Sequence, residues 1–423
     1  MKALLVVLFF LTYSFRCYST VRDIEKMGDL FQIALPTAAL SASYFLEDNK
    51  TPENLSYKQF VKSFASGFAA THIMKLTLKK KRPNENNSSS FPSGHTFAAF
   101  SGAAFIQSRF GSTYGVPAFL LAGFVGYSRV KSLNHFADDV LAGASIGYLF
   151  NEFYTKENNL EIGVAATNEL KAIVVKAPIE ETHKTHNKNR LNMEFLIGPT
   201  YMQSILLNDA KNAKFELHNL QSDVNHNYTS MVTLNYGLAS KDKISFTMMP
   251  YEHIAKGQLA QDIQFDGISF QKDEQLSFDW VHYGLDLEYL KEIFQLGNFK
   301  AQTGLGLLLN FGEITVASLE RQFSYKSQKI EAIGNILLNG IFKLNSKNQI
   351  ASKINWYNDT ATKYLKFDLT YSHELNTDWS GVIKLLHQTR HLTMAQVDTG
   401  SEEVNINSHS SFNSIFMGIR HSL

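Results

Sequence analysis

The chain has almost no cysteine. Cys17 is the one present in 423 residues, and it falls in a stretch that reads as an export signal. With cleavage after Ser19, the mature chain has no thiol, which excludes disulfides and thiol chemistry. Charge of either sign is not in excess. The 40 Lys and Arg residues oppose 39 Asp and Glu, a formal charge of +1, so nothing points to a nucleic-acid partner. No His, Cys, Asp or Glu cluster has metal-ligand spacing. Long hydrophobic runs are scarce. The uncharged stretches 30–46 and 110–128 reach only the lower edge of the roughly 20 residues a helical membrane span needs. Both contain polar residues or proline.

What is present begins with the export signal, residues 1–19. Lys2 is its basic start, Ala3 to Tyr13 the apolar run, and Cys17-Tyr18-Ser19 the small-residue exit. Arg16 directly before Cys17 fits a lipoprotein site poorly. Residues 20–155 then read as an α-helical bundle. Helices are expected over 29–46, 57–81, 96–109, 117–130 and 138–154, with frequent Ala, Gly and Ser for close packing.

The chemistry is concentrated between Lys75 and Asp139. Lys75 and Arg82 are seven apart, close to two helical turns, and share a face. Pro83 disfavours helix at Arg82 and is expected to end the helix there. Arginine offers phosphate a planar fork, and lysine a point charge. Alone, this piece is equally a solvated basic helix end, since Lys79, Lys80 and Lys81 lie between the two. In Phe91-Pro92-Ser93-Gly94-His95-Thr96, Ser93 suits a helix cap and Gly94 admits close backbone approach. A helix start with free N–H groups binds anions, and His95 in its first turn can act as an acid. Alone, this is an ordinary capped helix with an incidental histidine. His135 and Asp139 are four apart on one helix face. A carboxylate on one ring nitrogen leaves the other free to attack phosphorus. Arg129 adds a third cation.

Taken together, Lys-x6-Arg-Pro, Pro-Ser-Gly-His and Ser-Arg-x5-His-x3-Asp resemble the three signature motifs of the type 2 phosphatidic acid phosphatase family. That family's site is similar to the one in vanadium haloperoxidases. Every motif position is filled here. The resemblance covers about a third of the chain, roughly residues 22–155. It implies that Lys75, Arg82 and Arg129 bind phosphate, with Ser93 and the Gly94 amide. It also implies that His95 is the acid, that His135 is the nucleophile forming a phosphohistidine, and that Asp139 orients His135. Neither metal nor other cofactor is implied. Asp138 is off the motif spacing and reads as a cap or surface residue.

Residues 156–190 turn polar and read as a linker, with Ile173-Val174-Val175 as a candidate short strand. From about 191 the period becomes two. Phe299, Ala301, Thr303, Leu305, Leu307, Leu309 and Phe311 alternate with a mostly Gly, Gln, Lys and Asn face. Similar stretches run over 228–238, 244–251, 276–289, 330–344, 350–357, 364–373, 379–387 and 411–421. Aromatic residues recur near strand ends: Tyr228, Tyr236, Trp280, Tyr289, Trp356, Tyr371 and Trp379. This patterning predicts an antiparallel β-barrel of about 12 strands over 191–423, of the outer-membrane type. A soluble all-β sandwich is the alternative, favoured where charges interrupt a face at 262–274. The end, Arg420-His421-Ser422-Leu423, lacks the usual terminal aromatic.

The fold class expected is therefore multidomain α and β, with the phosphatase domain facing the periplasm. The expected substrate is a phosphorylated lipid or a small phosphoester, and the membrane is the expected partner. Two other readings are a vanadium-dependent haloperoxidase and a non-catalytic outer-membrane pore or adhesin.

Overall fold

The structure, a computed structural model, describes residues 20–45, 56–155, 161–166, 171–176, 191–208, 214–216, 220–221, 226–238, 242–265, 268–321, 324–358, 362–395 and 405–422. The expected export signal, with Cys17, and most of the expected linker lie outside the described residues. The chain divides into two compact units, Met1–Thr182 and His183–Leu423.

The described residues of the first unit form five helices: α1 Val21–Phe45, α2 Ser56–Leu78, α3 Gly94–Phe110, α4 Ser112–Lys131 and α5 Ala137–Thr155. Each predicted helix is present. Helix α1 starts eight residues before the expected Asp29, and that extension carries site residues described below. Helix α3 packs on α1, α4 and α5. Small residues set the spacing: Ala99, Ala103, Ala118 and Ala122 form one buried cluster with Leu35 and Val125. At Gly102 a Cβ would meet the Leu35–Pro36 backbone at 2.6 Å, so only glycine lets α1 and α3 approach this closely. Among the described residues, no helix is long and apolar enough to cross a membrane. A small antiparallel hairpin, Glu161–Ala166 with Lys171–Lys176, follows the helices and includes the candidate strand at Ile173.

The second unit is a closed antiparallel barrel. Its strands are β1 Leu191–Asn208, β2 His226–Gly237, β3 Lys243–Leu259, β4 Gln275–Leu296, β5 Phe299–Ser318, β6 Ser324–Lys343, β7 Asn348–Asn358, β8 Thr362–Glu374, β9 Trp379–Ala395 and β10 Asn405–Ser422. Each pairs with the next, and β10 closes on β1. The sheet has 12 strands, but ten close the ring; the short Lys214–Glu216 and Leu220–Gln221 pair at its margin. That corrects the expected ring of about 12. Strand β1 is absent from the sequence reading because Gly198-Pro199 interrupts it, and proline argues against a central strand. The charged stretch 262–274 forms a separate small hairpin, Ile263–Phe265 with Ile268–Phe270, outside the ring.

Burial alternates along the barrel with its sense reversed relative to a soluble protein. On β4, Leu287 is 50% exposed while Glu288 beside it is 1% exposed. Leu305, Leu307, Leu309, Ile336, Leu338 and Ile415 are likewise exposed. Inside, Lys353 binds Glu288 at 2.8 Å, Lys366 binds Asp286 at 3.0 Å, and Lys384 and Arg420 bind Glu194 at 2.8 and 2.7 Å. A sandwich would bury those leucines and hydrate those charges. Toward the other end of β4, the interior becomes apolar. There Tyr251 stacks on Phe412 at 5.4 Å and meets Trp280 edge-on. Trp280 and Trp379, two of the aromatics noted near strand ends, are both buried at 4% exposure. Tyr236, Tyr289, Trp356 and Tyr371 do face outward.

Candidate active site

Helix α2 ends at Leu78, not at Arg82 as expected. Lys79 takes φ +46°, a left-handed residue of the kind that stops helices. The turn sends Lys80 inward. Its Nζ lies 2.7 Å from Asp138 Oδ2 and 3.0 Å from Asp139 Oδ1, and 4.6 Å from the Phe136 ring centre. Two sequence readings are corrected here. Lys80, 8% exposed, is no part of a solvated basic run, and Asp138, 1% exposed, is no surface residue. Adjacent buried carboxylates require a counter-charge, and Lys80 supplies it. Lys79 and Lys81 remain exposed.

Asp139 lies in the first turn of α5, where the helix's positive end suits a carboxylate. It accepts hydrogen bonds from the Phe136 N–H at 2.9 Å and from the Ser90 hydroxyl. His135 Nδ1 is 3.6 Å from the same oxygen, ion-pair range but too long for a hydrogen bond. Burial alone would raise the Asp139 pKa, but Lys80, His135 and Ser90 hold it below the usual carboxylate range. His135 is pushed down by burial, with Asp139 acting in the opposite direction.

Ser93 caps α3, as its sequence suggested: its hydroxyl accepts from the Thr96 N–H at 3.4 Å and from the Thr96 hydroxyl at 3.0 Å. Its N–H donates to the Asp139 carbonyl at 2.9 Å, joining the second and third motifs. The Lys75 Cε lies 3.9 Å from where a Gly94 Cβ would be. Lys75 Nζ donates to the Ser89 carbonyl at 2.7 Å. Burial brings Lys75 down to about 8, with Asp139 raising it and Arg82 lowering it further. Arg82 is also lowered, first by burial; Asp139 opposes the shift and Arg129 adds to it. Arg82 Nε is buried with no hydrogen-bond partner among the described residues. An orphaned cationic donor beside two other cations is what an oxyanion would satisfy. The loops are tied together: the Asn84 N–H donates to the Leu133 carbonyl at 3.1 Å, and Asn84 Nδ2 to Asn134 Oδ1 at 3.1 Å.

Arg129, in the last turn of α4, donates to the Glu25 carbonyl at 2.7 Å, to Asp29 Oδ1 at 2.9 Å and to Ser128 Oγ at 3.1 Å. That uses three of its N–H groups and leaves two of the five a guanidinium has. The same Asp29 oxygen is 3.4 Å from His95 Nε2. Burial lowers His95 to about 4, and Arg129, His135 and Arg82 push the same way while Asp29 opposes them. Among the described residues, no three His, Cys, Asp or Glu side chains are grouped as for a metal ion.

Residues 56–156 match the model of the PAP2 superfamily. This segment is a PAP2 superfamily domain. The chain is similar to lipid A 1-phosphatase of Porphyromonas gingivalis, 38% identical over 81 residues. That match spans 18% of this chain and 18% of the relative. Among solved structures, similarity extends to a transmembrane PAP2-type phosphatidylglycerolphosphate phosphatase of Bacillus subtilis. It is 24% identical, covers 32% of this chain and 72% of that one, and has a TM-score of 0.26. The outer membrane protease OmpT of Escherichia coli is 8% identical, covering 56% of this chain and 98% of that one, with a TM-score of 0.38.

All eight motif residues of the PAP2 segment therefore lie on α2–α5 and their connections. Three further contributors were missed from sequence: Ser90, Lys80 and Asp29. Ser90 and Lys80 sit in runs of identical residues, Ser88-Ser89-Ser90 and Lys79-Lys80-Lys81, which hide the member that turns inward. Asp29 is 46 residues before Lys75 and carries no local signal.

Proposed function

We propose that this protein is a phosphatase that hydrolyses phosphate from a lipid by a two-step, metal-independent route. The observation that carries the reading is the grouping of Lys75 and Arg82 about His135 and Asp139, with Arg129 acting on Arg82 and His95, and with Arg82 Nε unpartnered among the described residues. His135, kept neutral by burial, attacks phosphorus through the ring nitrogen not facing Asp139. The P–O bond to the leaving group breaks, and His95 gives that oxygen its proton. Water then attacks the phosphohistidine, passing a proton to His95 as the P–N bond breaks, which releases inorganic phosphate and restores both histidines. The cations stabilise charge developing on the phosphoryl oxygens. A bound phosphate dianion also raises His95 from its low resting value, which supplies the acid when substrate arrives. Chelation with EDTA should leave the rate unchanged, and vanadate should compete with substrate. A rate lost on chelation and restored by a divalent cation would overturn the route.

The similarity to lipid A 1-phosphatase supports a lipid phosphate as substrate. So do exposed apolar neighbours of the site residues: Leu30 beside Asp29, Leu76 beside Lys75, and Leu133 between Arg129 and His135. Lys79 and Lys81, exposed on either side of buried Lys80, add positive charge that attracts an anionic head group. The barrel's apolar outer face supports residence in the outer membrane, with the PAP2 domain on the periplasmic side. The protein should fractionate with outer membranes, and boiled and unboiled samples should migrate differently on gels. A fragment 191–423 that stays folded and monomeric without detergent contradicts this reading.

A further inference from the structure

We infer that Asp29 is the counter-ion of the proton donor His95, a positioning residue that orients its ring and favours its protonated form. The inference rests on the phosphatase reading above. Asp29 lies outside the segment matched to the PAP2 superfamily, on a helix that closes over the site. Its placement is built, not incidental. At Gly28 a Cβ would come within 1.9 Å of Ser128 Oγ and 2.8 Å of Arg129 Nη2, so the glycine lets α1 press against the Ser128–Arg129 step. Glu25 fixes the same helix turn twice: its carbonyl accepts from Arg129, and its carboxylate accepts from Asn134 Nδ2 at 2.6 Å. Asp29 Oδ1 then reaches both Arg129 Nη1 and His95 Nε2.

The charged and titratable groups facing His95 are Arg129, Asp29, His135 and Arg82. The two arginines disfavour an imidazolium, as His135 does whenever it is charged. Asp29 alone of the four favours it. A donor surrounded by the cations that bind phosphate needs such an anion, because the groups that hold the substrate also expel its proton. Arg129 Nη1 in turn holds Asp29 in place, at 2.9 Å from its Oδ1. Removing the carboxylate lowers the pH at which His95 loses its proton. Activity that needs protonated His95 is lost as pH rises through that value, so the alkaline limb must move to lower pH.

The test is Asp29→Asn in the full chain, assayed across pH with an alkyl phosphate and with an aryl phosphate of low leaving-group pKa. The alkaline limb for the alkyl ester should move down by about one pH unit, with kcat above it falling about tenfold. The aryl ester, which departs without a proton, should change by less than about threefold. Asp29→Glu should restore part of the alkyl rate. Equal losses for both esters, with a lowered melting temperature, would assign Asp29 a merely structural role and overturn the inference. A lower KM with unchanged kcat would make it a competitor of phosphate for Arg129, which also overturns it. An inactive wild-type protein would defeat the phosphatase reading itself, a distinct result from an active wild type that Asp29→Asn leaves unchanged.

Discussion

His135→Ala should abolish turnover, lowering kcat by on the order of 10⁴- to 10⁶-fold, as loss of a covalent nucleophile does. The wild type quenched during turnover should carry an acid-labile, alkali-stable phosphate on the protein, and the variant none. His135 is buried, with Asp139 against one ring nitrogen. His95→Ala should retain phosphoenzyme formation from aryl phosphates while losing most of the rate on alkyl esters. The two histidines thus separate by leaving group. An active His135→Ala protein, or label remaining on it, removes the mechanism.

Lys80→Met should destabilise the helical unit by about 3–5 kcal/mol, the usual cost of breaking a buried ion pair from one side. Asp138 and Asp139 would then stand side by side in the interior without their cation. Hydrogen exchange at the start of α5 in the full-length protein reads this directly, and activity should fall with it because Asp139 loses an anchor. Lys79→Met and Lys81→Met, on exposed neighbours, should stay within about 0.5 kcal/mol of wild type. The pH dependence follows from the direction of each shift. The Asp139 carboxyl is held below its usual range, so its contribution is complete above about pH 4 and fades only as pH falls toward the depressed value. Burial opposes the charge of Lys80, but Asp138 and Asp139 prevail and raise its pKa. Its contribution is therefore complete below about pH 10 and fades as pH rises through the raised value. The pair therefore stabilises across the whole neutral range. Lys80→Met no more damaging than Lys79→Met would mean the buried triad does not exist in solution.

The apolar cluster around Tyr251, Trp280 and Phe412 fills one part of the barrel interior, whereas Glu194, Lys353, Lys366, Lys384 and Arg420 line an open pocket farther along it.

The sequence by itself determined the helical and β halves, because helix and strand periods are local and survive without knowledge of packing. Nine of the ten ring strands were legible as alternating stretches, and β1 was hidden only by its Gly198-Pro199 step. The eight motif residues were legible because their types and spacings are unusual in combination. Tertiary structure alone decided which face of the barrel is wet. An alternating strand looks the same whether its leucines point into a core or out toward lipid, and only ring closure sends Glu288 inward and Leu287 out. It alone singled out Lys80 from three lysines, since one left-handed residue at Lys79 sets which of them turns inside. It alone brought Asp29 to His95, across 66 residues of chain, because contact at that separation depends on how α1 packs over α3 and α4 and leaves no local pattern to read.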